Sequence, residues 1–415
     1  MELKKNIKAG KNSLKLNLII FVYFSLFSFA FSQSNLEGTY TDIKILDKIS
    51  SKNILLKLKN GDLVAFKDLS IKSLKCKNSE FDDNPEITAY LQVTDLNNTN
   101  NDHFPQKKTV YGNLVEVLRY GENPHQQAAI YSKNNNLDIS QLSGKKLSYN
   151  NYNDIYSALN ISRTLPKNNG TVIVKHANPC GVSILKNKLD SYKAALACDP
   201  ISAFGGIISC NFKIDKKLAL ELNKIFLEVI VANGFEKNAL KILKSKKNLR
   251  LIDASSFSQN EIFKFNSLNN SILIQSEDKK LFSKNDFKIV SKKKPTKIQF
   301  DNLIFAFNVC RYAKSNAIVL VDNKTTVGIG SGQPSRLDSC QIAIDKMNKF
   351  RNLETEIVAA SDAFFPFVDG IEKLVQAGVS AVVQPSGSIN DKEVVKFANA
   401  TGTVLIFSKT RHFRH

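Results

Sequence analysis

The chain has 415 residues, 43% of them hydrophobic, and a formal net charge of +20. This length and apolar content exclude disorder throughout and leave room for two or three domains. The charge suits nucleic acid, an acidic membrane or small anionic substrates, and a lysine-, asparagine- and isoleucine-rich coding bias accounts for it equally well.

The six cysteines, Cys76, Cys180, Cys198, Cys210, Cys310 and Cys340, form no Cys-x-x-Cys pair. They read as reduced intracellular thiols rather than a disulfide framework or a zinc cage. Among only eight arginines, Arg119, Arg336, Arg411 and Arg414 fall in segments that look like site loops, where a planar fork can grip phosphate or carboxylate.

The amino-terminal segment conflicts with an intracellular reading. Lys4, Lys5, Lys8, Lys11 and Lys15 precede an uncharged apolar run at residues 16–31 and then Ser32-Gln33-Ser34. A basic flank, an apolar stretch and small residues predict an export signal or short anchor over residues 1–35. Residues 40–96 read as a small β-rich domain of unknown function. Its segments 54–58 and 62–66 flank Asn60-Gly61, a hairpin signal, and 69–71 and 90–93 add strands. Asparagine-rich residues 97–108, with Pro105, read as a linker, so the main domain is expected over 109–415.

Arg119 to Gln126 form a polar loop punctuated by Gly121 and Pro124, and residues 151–163 predict a helix. The β-branched run 171–174 predicts a short buried strand that delivers Lys175 and His176 to its carboxyl end. Ligands bind at such ends in open α/β sheets. Side chains of an extended segment alternate, so Lys175 and His176 share a site only if the chain bends there.

A helix at 191–197 leads into Asp199 to Gly206, where Gly205 and Gly206 permit a tight turn or a close approach to ligand. Residues 237–300 carry little pattern. A helix at 302–313 and a strand at 317–321 follow, and then Gly328-x-Gly330-x-Gly332 reads as a glycine loop entering a helix amino end, which suits an anion. The remainder alternates strand 357–360, loop 361–369, helix 370–377, strand 381–383, loop 384–388, helix 391–398 and strand 403–407. This alternation predicts an α/β fold with a mostly parallel sheet covered on both faces. Phe364, Phe365 and Phe367 serve such a fold as core, or as a wall for a flat heteroaromatic ligand.

Together these motifs resemble the formyltransferase domain of the bifunctional purine biosynthesis enzymes, which formylates AICAR, an aminoimidazole-carboxamide ribonucleotide, with 10-formyltetrahydrofolate. The resemblance is carried by residues 119–126, Lys175 to Gly181, Asp199 to Gly206, Lys314-Ser315-Asn316, 328–336, 361–369, 384–388 and Arg411-His412-Phe413-Arg414-His415. It implies a duplicated cytidine-deaminase-like α/β/α domain without metal. It also implies a homodimer with a shared active site, catalysis by His176, Lys175 and Asn316, and substrate contacts from Arg119, Tyr120, Asn160, Gly205, Glu228, Arg336, Phe364, Arg411 and His415. The folate is assigned to Asp369 and to Ser386, Gly387 and Ser388. Ser386 stands where glycine is common in the family, and Asn233 where proline often is.

Family members also carry an amino-terminal cyclohydrolase domain that closes the product to IMP. Here the export-like segment occupies its place, so formyl transfer is expected without ring closure. The enzyme domain is expected in the cytoplasm, with no nucleic-acid partner and with membrane contact only if residues 16–31 are retained. One alternative is an inactive, nucleotide-binding relic fused to an exported domain. A zinc nucleoside deaminase is another, but it needs His-x-Glu and Pro-Cys-x-x-Cys, whereas His176-Ala177-Asn178 lacks the glutamate and Cys180 lacks its partner.

Overall fold

The computed structural model describes residues 39–47, 52–66, 69–78, 87–95, 111–133, 136–258, 263–350 and 356–415. The export-like segment and the 97–108 linker lie outside these residues. The chain divides into two compact units, Met1–Tyr111 and Gly112–His415.

In the first unit, strands β1 (Tyr40–Asp47) and β2 (Lys52–Lys59) pair antiparallel. Strands β3 (Leu63–Phe66), β4 (Leu69–Asn78) and β5 (Ile87–Asp95) form a three-stranded antiparallel sheet. Ile43, Leu58 and Ile71 make a small core. The Asn60-Gly61 turn exists, with Gly61 at φ +99°, but it does not close the expected hairpin, because β2 and β3 belong to different sheets. The side chain of Asn60 accepts hydrogen bonds from Thr41 and Ser73, at 3.2 and 2.8 Å, which ties the turn to β1 and β4 and hands the chain from one sheet to the other.

The second unit opens with a hairpin, β6 (Asn113–Leu118) and β7 (Ala128–Ser132). Next come β8 (Ser140–Ser143), α1 (Tyr149–Ser162), β9 (Thr171–Lys175), β10 (Asn178–Ser183), α2 (Lys188–Leu196), α3 (Pro200–Ala203), β11 (Ile207–Cys210), α4 (Lys216–Leu222), β12 (Val229–Ala232), α5 (Lys237–Leu243) and β13 (Arg250–Asp253). An exposed hairpin, β14 (Phe263–Leu268) and β15 (Ser271–Ser276), separates these from a second series. That series is β16 (Phe287–Ile289), α6 (Lys297–Cys310), β17 (Ile318–Asp322), β18 (Thr325–Gly330), α7 (Arg336–Phe350), β19 (Ile357–Ser361), α8 (Asp369–Gln376), β20 (Val379–Pro385), α9 (Asp391–Ala400) and β21 (Val404–Ser408).

Among the described residues, twelve strands form one sheet in the order β16-β21-β20-β19-β17-β18-β10-β9-β11-β12-β13-β8. From either end inward, the two halves repeat the same chain order and the same pairing sense, and they meet at β18 and β10. Parallel pairing occurs in β11-β12-β13 and β19-β20-β21, where a helix links each strand to the next. Neighbours joined by a tight turn, such as β9-β10 and β17-β18, are antiparallel. The α/β class stands, and helix crossovers account for the parallel blocks within a sheet of mixed sense.

Helices cover both faces. Val172 and Val174 of β9 pack with residues of α1 and α6, while Ile173 packs on the other side with α2 and α4. Helices α7, α8 and α9 cover the second half on that same pattern. Burial on both faces explains why these strands read as unbroken apolar runs rather than as alternations.

One expectation fails here. Gly328 and Gly330 lie in β18, which is buried throughout, and not in a phosphate-cradling loop. A Cβ at Gly328 would lie 2.1 Å from the Ala343 carbonyl oxygen, and one at Gly330 would lie 1.9 Å from that of Ser339. The glycines let α7 press against the strand, and only Gly332, at φ +70°, belongs to the turn beyond.

Asp199 ties the two halves together. Its carboxylate caps α3 through the Ser202 amide at 2.9 Å and meets Lys346 of α7 at 2.8 Å. Burial opposes its ionisation, but the hydrogen bonds from Lys346 and Ser202 win and hold it below the usual carboxylate range. Asp199→Asn should keep the cap, lose the ion pair and destabilise the protein by about 1 kcal/mol at neutral pH, a modest figure because Lys346 is partly solvated. A depressed folded-state pKa gives stability that is present above the ordinary aspartate value and lost as pH falls through the lower folded value. The difference in Tm between wild type and variant should therefore close on acidification below pH ~4, as thermal melts across pH would show.

Candidate active site

The pairing senses gather the catalytic candidates on one edge of the sheet. β9 ends there at Lys175, so its antiparallel neighbours β10 and β11 begin there, and so do β12 at Val229 and β13 at Arg250. By the same rule β17 begins on this edge at Ile318, and β18, β19, β20 and β21 end on it.

The centre of the edge is the two-residue turn between β9 and β10. His176 and Ala177 both have positive φ, +53° and +59°, so the chain does bend where Lys175 and His176 needed it to. His176 is exposed, and Lys175 is half-buried with its Nζ donating to the Phe204 carbonyl at 2.8 Å. Next to that carbonyl, Gly205 adopts φ +72° and donates its amide to the Phe226 carbonyl at 2.9 Å. Its left-handed conformation and missing side chain leave the Lys175 ammonium open to a ligand.

Behind the turn, the amino end of α1 supplies three polar groups. Ser148 caps the helix in a capping box with Asn151. The Asn151 amide accepts from the Ser148 N–H at 3.1 Å and donates to Glu228 at 2.8 Å. Asp154, one turn further on, accepts from the amides of His176 and Ala177 at 3.0 and 2.7 Å. Burial raises the Asp154 pKa, and the two amide hydrogen bonds oppose the rise.

Arg250 approaches Glu228 at 3.8 Å. Burial lowers the pKa of its guanidinium, Glu228 resists that shift and the neighbouring Arg119 adds to it. The Arg119 guanidinium lies 4.5 Å from the centre of the Tyr120 ring and donates to its hydroxyl at 2.7 Å. Glu228, Arg250, Lys246, Lys247 and Phe226 line a cavity of about 460 Å³ with a cationic rim suited to an anion.

A second group centres on Asn316, just before β17. Its side-chain oxygen accepts from Arg336 at 2.6 Å, and its nitrogen donates to the carbonyls of Gln333 and Pro334 at 3.0 and 2.8 Å. Arg336 also donates to Ser361 at 2.7 Å and pairs with the fully buried Asp362. The carboxy-terminal segment docks beside it, with the amide of His412 on the Asp362 carbonyl and Arg414 exchanging two hydrogen bonds with Ser315. Arg411 lies over the Phe413 ring, and His415 is exposed. Phe364 is half-buried after β19, whereas the neighbouring Phe365 belongs to the core. Asp369 begins α8 and bonds the Gly370 amide at 2.7 Å, and the Gly387 amide is held by Asp391, which presents Ser386 and Ser388 at the end of β20. The two groups touch where the Lys314 amide donates to the Asn178 side chain at 3.0 Å, two residues beyond His176.

Asn160 is not brought to this arrangement. Nine residues beyond Asn151 at about 100° each, it faces the opposite side of α1. The group that does meet Glu228 is Asn151, and the sequence held the signal in its Ser148-x-x-Asn151 capping pattern. Asp154 follows on the same face by the i,i+3 rule. Cys180 is buried, and burial pushes its thiol up to about 12, so it is neutral and unreactive at physiological pH. Among the described residues, no helix is long and apolar enough to cross a membrane.

The sequence matches the family described as AICARFT/IMPCHase bienzyme over residues 55–346. Proteins named bifunctional purine biosynthesis protein PurH are similar to it. That of Acetivibrio thermocellus is 39% identical over 364 residues, covering 85% of this chain and 70% of its own length. Those of Leptospira biflexa and Persephonella marina are each 43% identical, covering 75% of this chain and 61% and 62% of their own lengths. The chain thus spans about two thirds or less of the length of most of these relatives. On both the family match and the relatives, the chain belongs to the AICARFT/IMPCHase bienzyme family.

Proposed function

We propose that this chain transfers the formyl group of 10-formyltetrahydrofolate to the 5-amino group of AICAR, giving formyl-AICAR and tetrahydrofolate. The observation that carries this reading is the left-handed turn at His176 and Ala177 on the sheet edge, directly after Lys175, whose ammonium donates to the Phe204 carbonyl beside Gly205.

The amine is conjugated with a carboxamide and is a weak nucleophile. Its attack on the formyl carbon needs a base for the nitrogen proton, a cation for the developing oxyanion and a proton for the departing folate N10. His176 is exposed to accept the amine proton. Lys175 carries a positive charge beside it that stabilises the oxyanion and donates to N10 as the carbon–nitrogen bond breaks. Glu228 and Arg250 offer a phosphate, ribose and imidazole a charged cleft with the dimensions of a small-molecule site, and Arg119, within electrostatic reach of Arg250, binds the nucleotide there with Tyr120. Asn151 takes the place expected of Asn160 there. Asn316, oriented by Arg336, faces the formyl group, and Arg336, Phe364, Arg411 and His415 complete the nucleotide site. Asp369 and the Ser386 to Ser388 loop bind the pterin. A homodimer with a site shared between copies, a cytidine-deaminase-like ancestry for the repeated halves and a cytoplasmic enzyme domain belong to the same proposal, as does a domain boundary near residue 109.

The test is an assay of the full chain with AICAR and 10-formyltetrahydrofolate, following tetrahydrofolate by absorbance and nucleotides by chromatography. Formyl-AICAR and tetrahydrofolate should accumulate together. Absence of both products from folded protein would leave the nucleotide-binding relic as the reading.

A further inference from the structure

We propose that Asp154 is a positioning residue of the reaction, gripping the turn that carries Lys175 and His176 and so fixing both side chains on the site edge. The proposal rests on the formyl-transfer reading for the roles of those two residues, and on the repeat within the fold for the role of Asp154.

A left-handed conformation at a non-glycine residue costs of order 1–2 kcal/mol, and two in succession persist only where surrounding contacts dictate them. At His176 and Ala177 one constraint is the hairpin closure, with Lys175 opposite Asn178, and the other comes from one carboxylate. Oδ2 of Asp154 takes the His176 amide at 3.0 Å and Oδ1 the Ala177 amide at 2.7 Å. Each is a charge-assisted bond, stronger than its neutral counterpart. The two together set the rotation of the peptide that joins the catalytic pair to β10.

The second half of the sheet provides an internal control. Its equivalent turn, between β17 and β18, places Asn323 and Lys324 at φ +42° and +55°. That turn too is held from the preceding helix, where Asn302 accepts from the Lys324 amide at 2.9 Å. Asn302 is the sixth residue of α6, as Asp154 is the sixth of α1. The fold therefore uses this helix position twice to hold a left-handed turn. On the second occasion the turn lies on the opposite edge of the sheet and carries none of the site residues, and one neutral oxygen is sufficient. On the first, where two side chains must be aimed, the position holds a carboxylate that engages both amides in a half-buried setting that penalises its charge. A purely structural requirement is met by asparagine, so the carboxylate answers to the aim of Lys175 and His176.

The experiment compares Asp154→Ala, Asp154→Asn and Asn302→Ala in the full chain. It reads kcat and KM for AICAR, Tm, and amide hydrogen exchange at residues 176 and 177. Asp154→Ala should lower kcat by about 100-fold, the scale of a misplaced catalytic group, with KM changed by less than about threefold. Asp154→Asn, which keeps one acceptor, should recover about a tenth of the wild-type rate or more. Asn302→Ala should lower Tm as much as Asp154→Ala while holding kcat within about threefold. Exchange at 176 and 177 should accelerate by about tenfold or more in Asp154→Ala and stay unchanged in Asn302→Ala. Equal losses of kcat in the two alanine variants, or a loss confined to KM, would overturn the proposal. If wild-type protein transfers no formyl group, that reading falls on its own. The exchange data then decide, with unchanged protection in Asp154→Ala overturning the positioning role and faster exchange supporting it.

Discussion

His176→Ala and Lys175→Ala are each expected to lower kcat for formyl transfer by about 10³-fold, within the range general acid–base groups supply. The geometry makes this a clean experiment. His176 is exposed at the tip of a tight turn, so its side chain contributes little packing, and alanine already occupies the next left-handed position at Ala177. Lys175 is half-buried and loses one hydrogen bond to the Phe204 carbonyl, which costs about 1 kcal/mol. Circular dichroism melts should therefore move by only a few degrees for either variant, and KM for AICAR should change less than kcat. Retention of more than a tenth of the wild-type rate in His176→Ala would remove it as the base. A loss confined to Lys175→Ala would assign both proton and oxyanion duties to the lysine. Loss in both, with Tm moved by only a few degrees, is the outcome the turn geometry supports.

What the sequence disclosed about this site depended on whether the signal was local. The strand at 171–174 and the requirement for a bend between Lys175 and His176 are consequences of β-branched residues and backbone alternation, and the structure has both, whereas Pro179 and Gly181, which by their residue types should break the strand, lie inside β10, where the register shifts between them. The bend's cause was only partly local. The two-residue hairpin between β9 and β10 itself calls for left-handed residues, but the group that holds both amides of the turn, Asp154, is 22 residues earlier on a helix. In the same way Asn160 and Asn151 are indistinguishable by composition, and only the phase of α1 decides which meets Glu228.

The hairpin expected at Asn60-Gly61 failed for a related reason. The dipeptide specifies a turn, but Asn60 is tied by side-chain hydrogen bonds to one earlier strand, β1, and one later strand, β4, and β2 and β3 pair with those instead of with each other. A duplicated domain was expected only from the family resemblance, since the repeat of the two halves resides in pairing order and not in matching residues: Lys175-His176 in one turn corresponds to Asp322-Asn323 in the other.

The glycines of β18 carry the largest expected effect on stability. Gly330→Ala adds one methyl group, and its position is 1.9 Å from the Ser339 carbonyl oxygen and 2.7 Å from the carbonyl carbon. The obstacle is helix backbone, which has no rotamer to change, so α7 must retreat from the sheet. Backbone preference does not enter, because Gly330 has no positive φ. The same close approach recurs at Gly328 under Ala343, one helical turn along α7, and at Gly181 under Ala195 of α2 in the other half. Two helix–strand contacts of this kind, in equivalent places, mark the glycines as a condition of the three-layer fold. Retreat of α7 also reaches the active edge. Ser339 donates to the Asn316 carbonyl at 2.8 Å, and Arg336, the first residue of α7, holds the Asn316 side chain. Overpacking of this severity should cost about 3 kcal/mol or more, lowering Tm by about 5 °C or more in a unit of this size. Gly378→Ala is the matched control. Its φ of +90° strains an alanine, but no atom lies within 4 Å of the added Cβ, so the loss should stay near 1 kcal/mol. A Tm for Gly330→Ala no lower than that of Gly378→Ala would show that α7 can yield. A much lower Tm together with a reduced kcat would show the packing of one helix controlling both the stability of the sheet and the placement of Asn316.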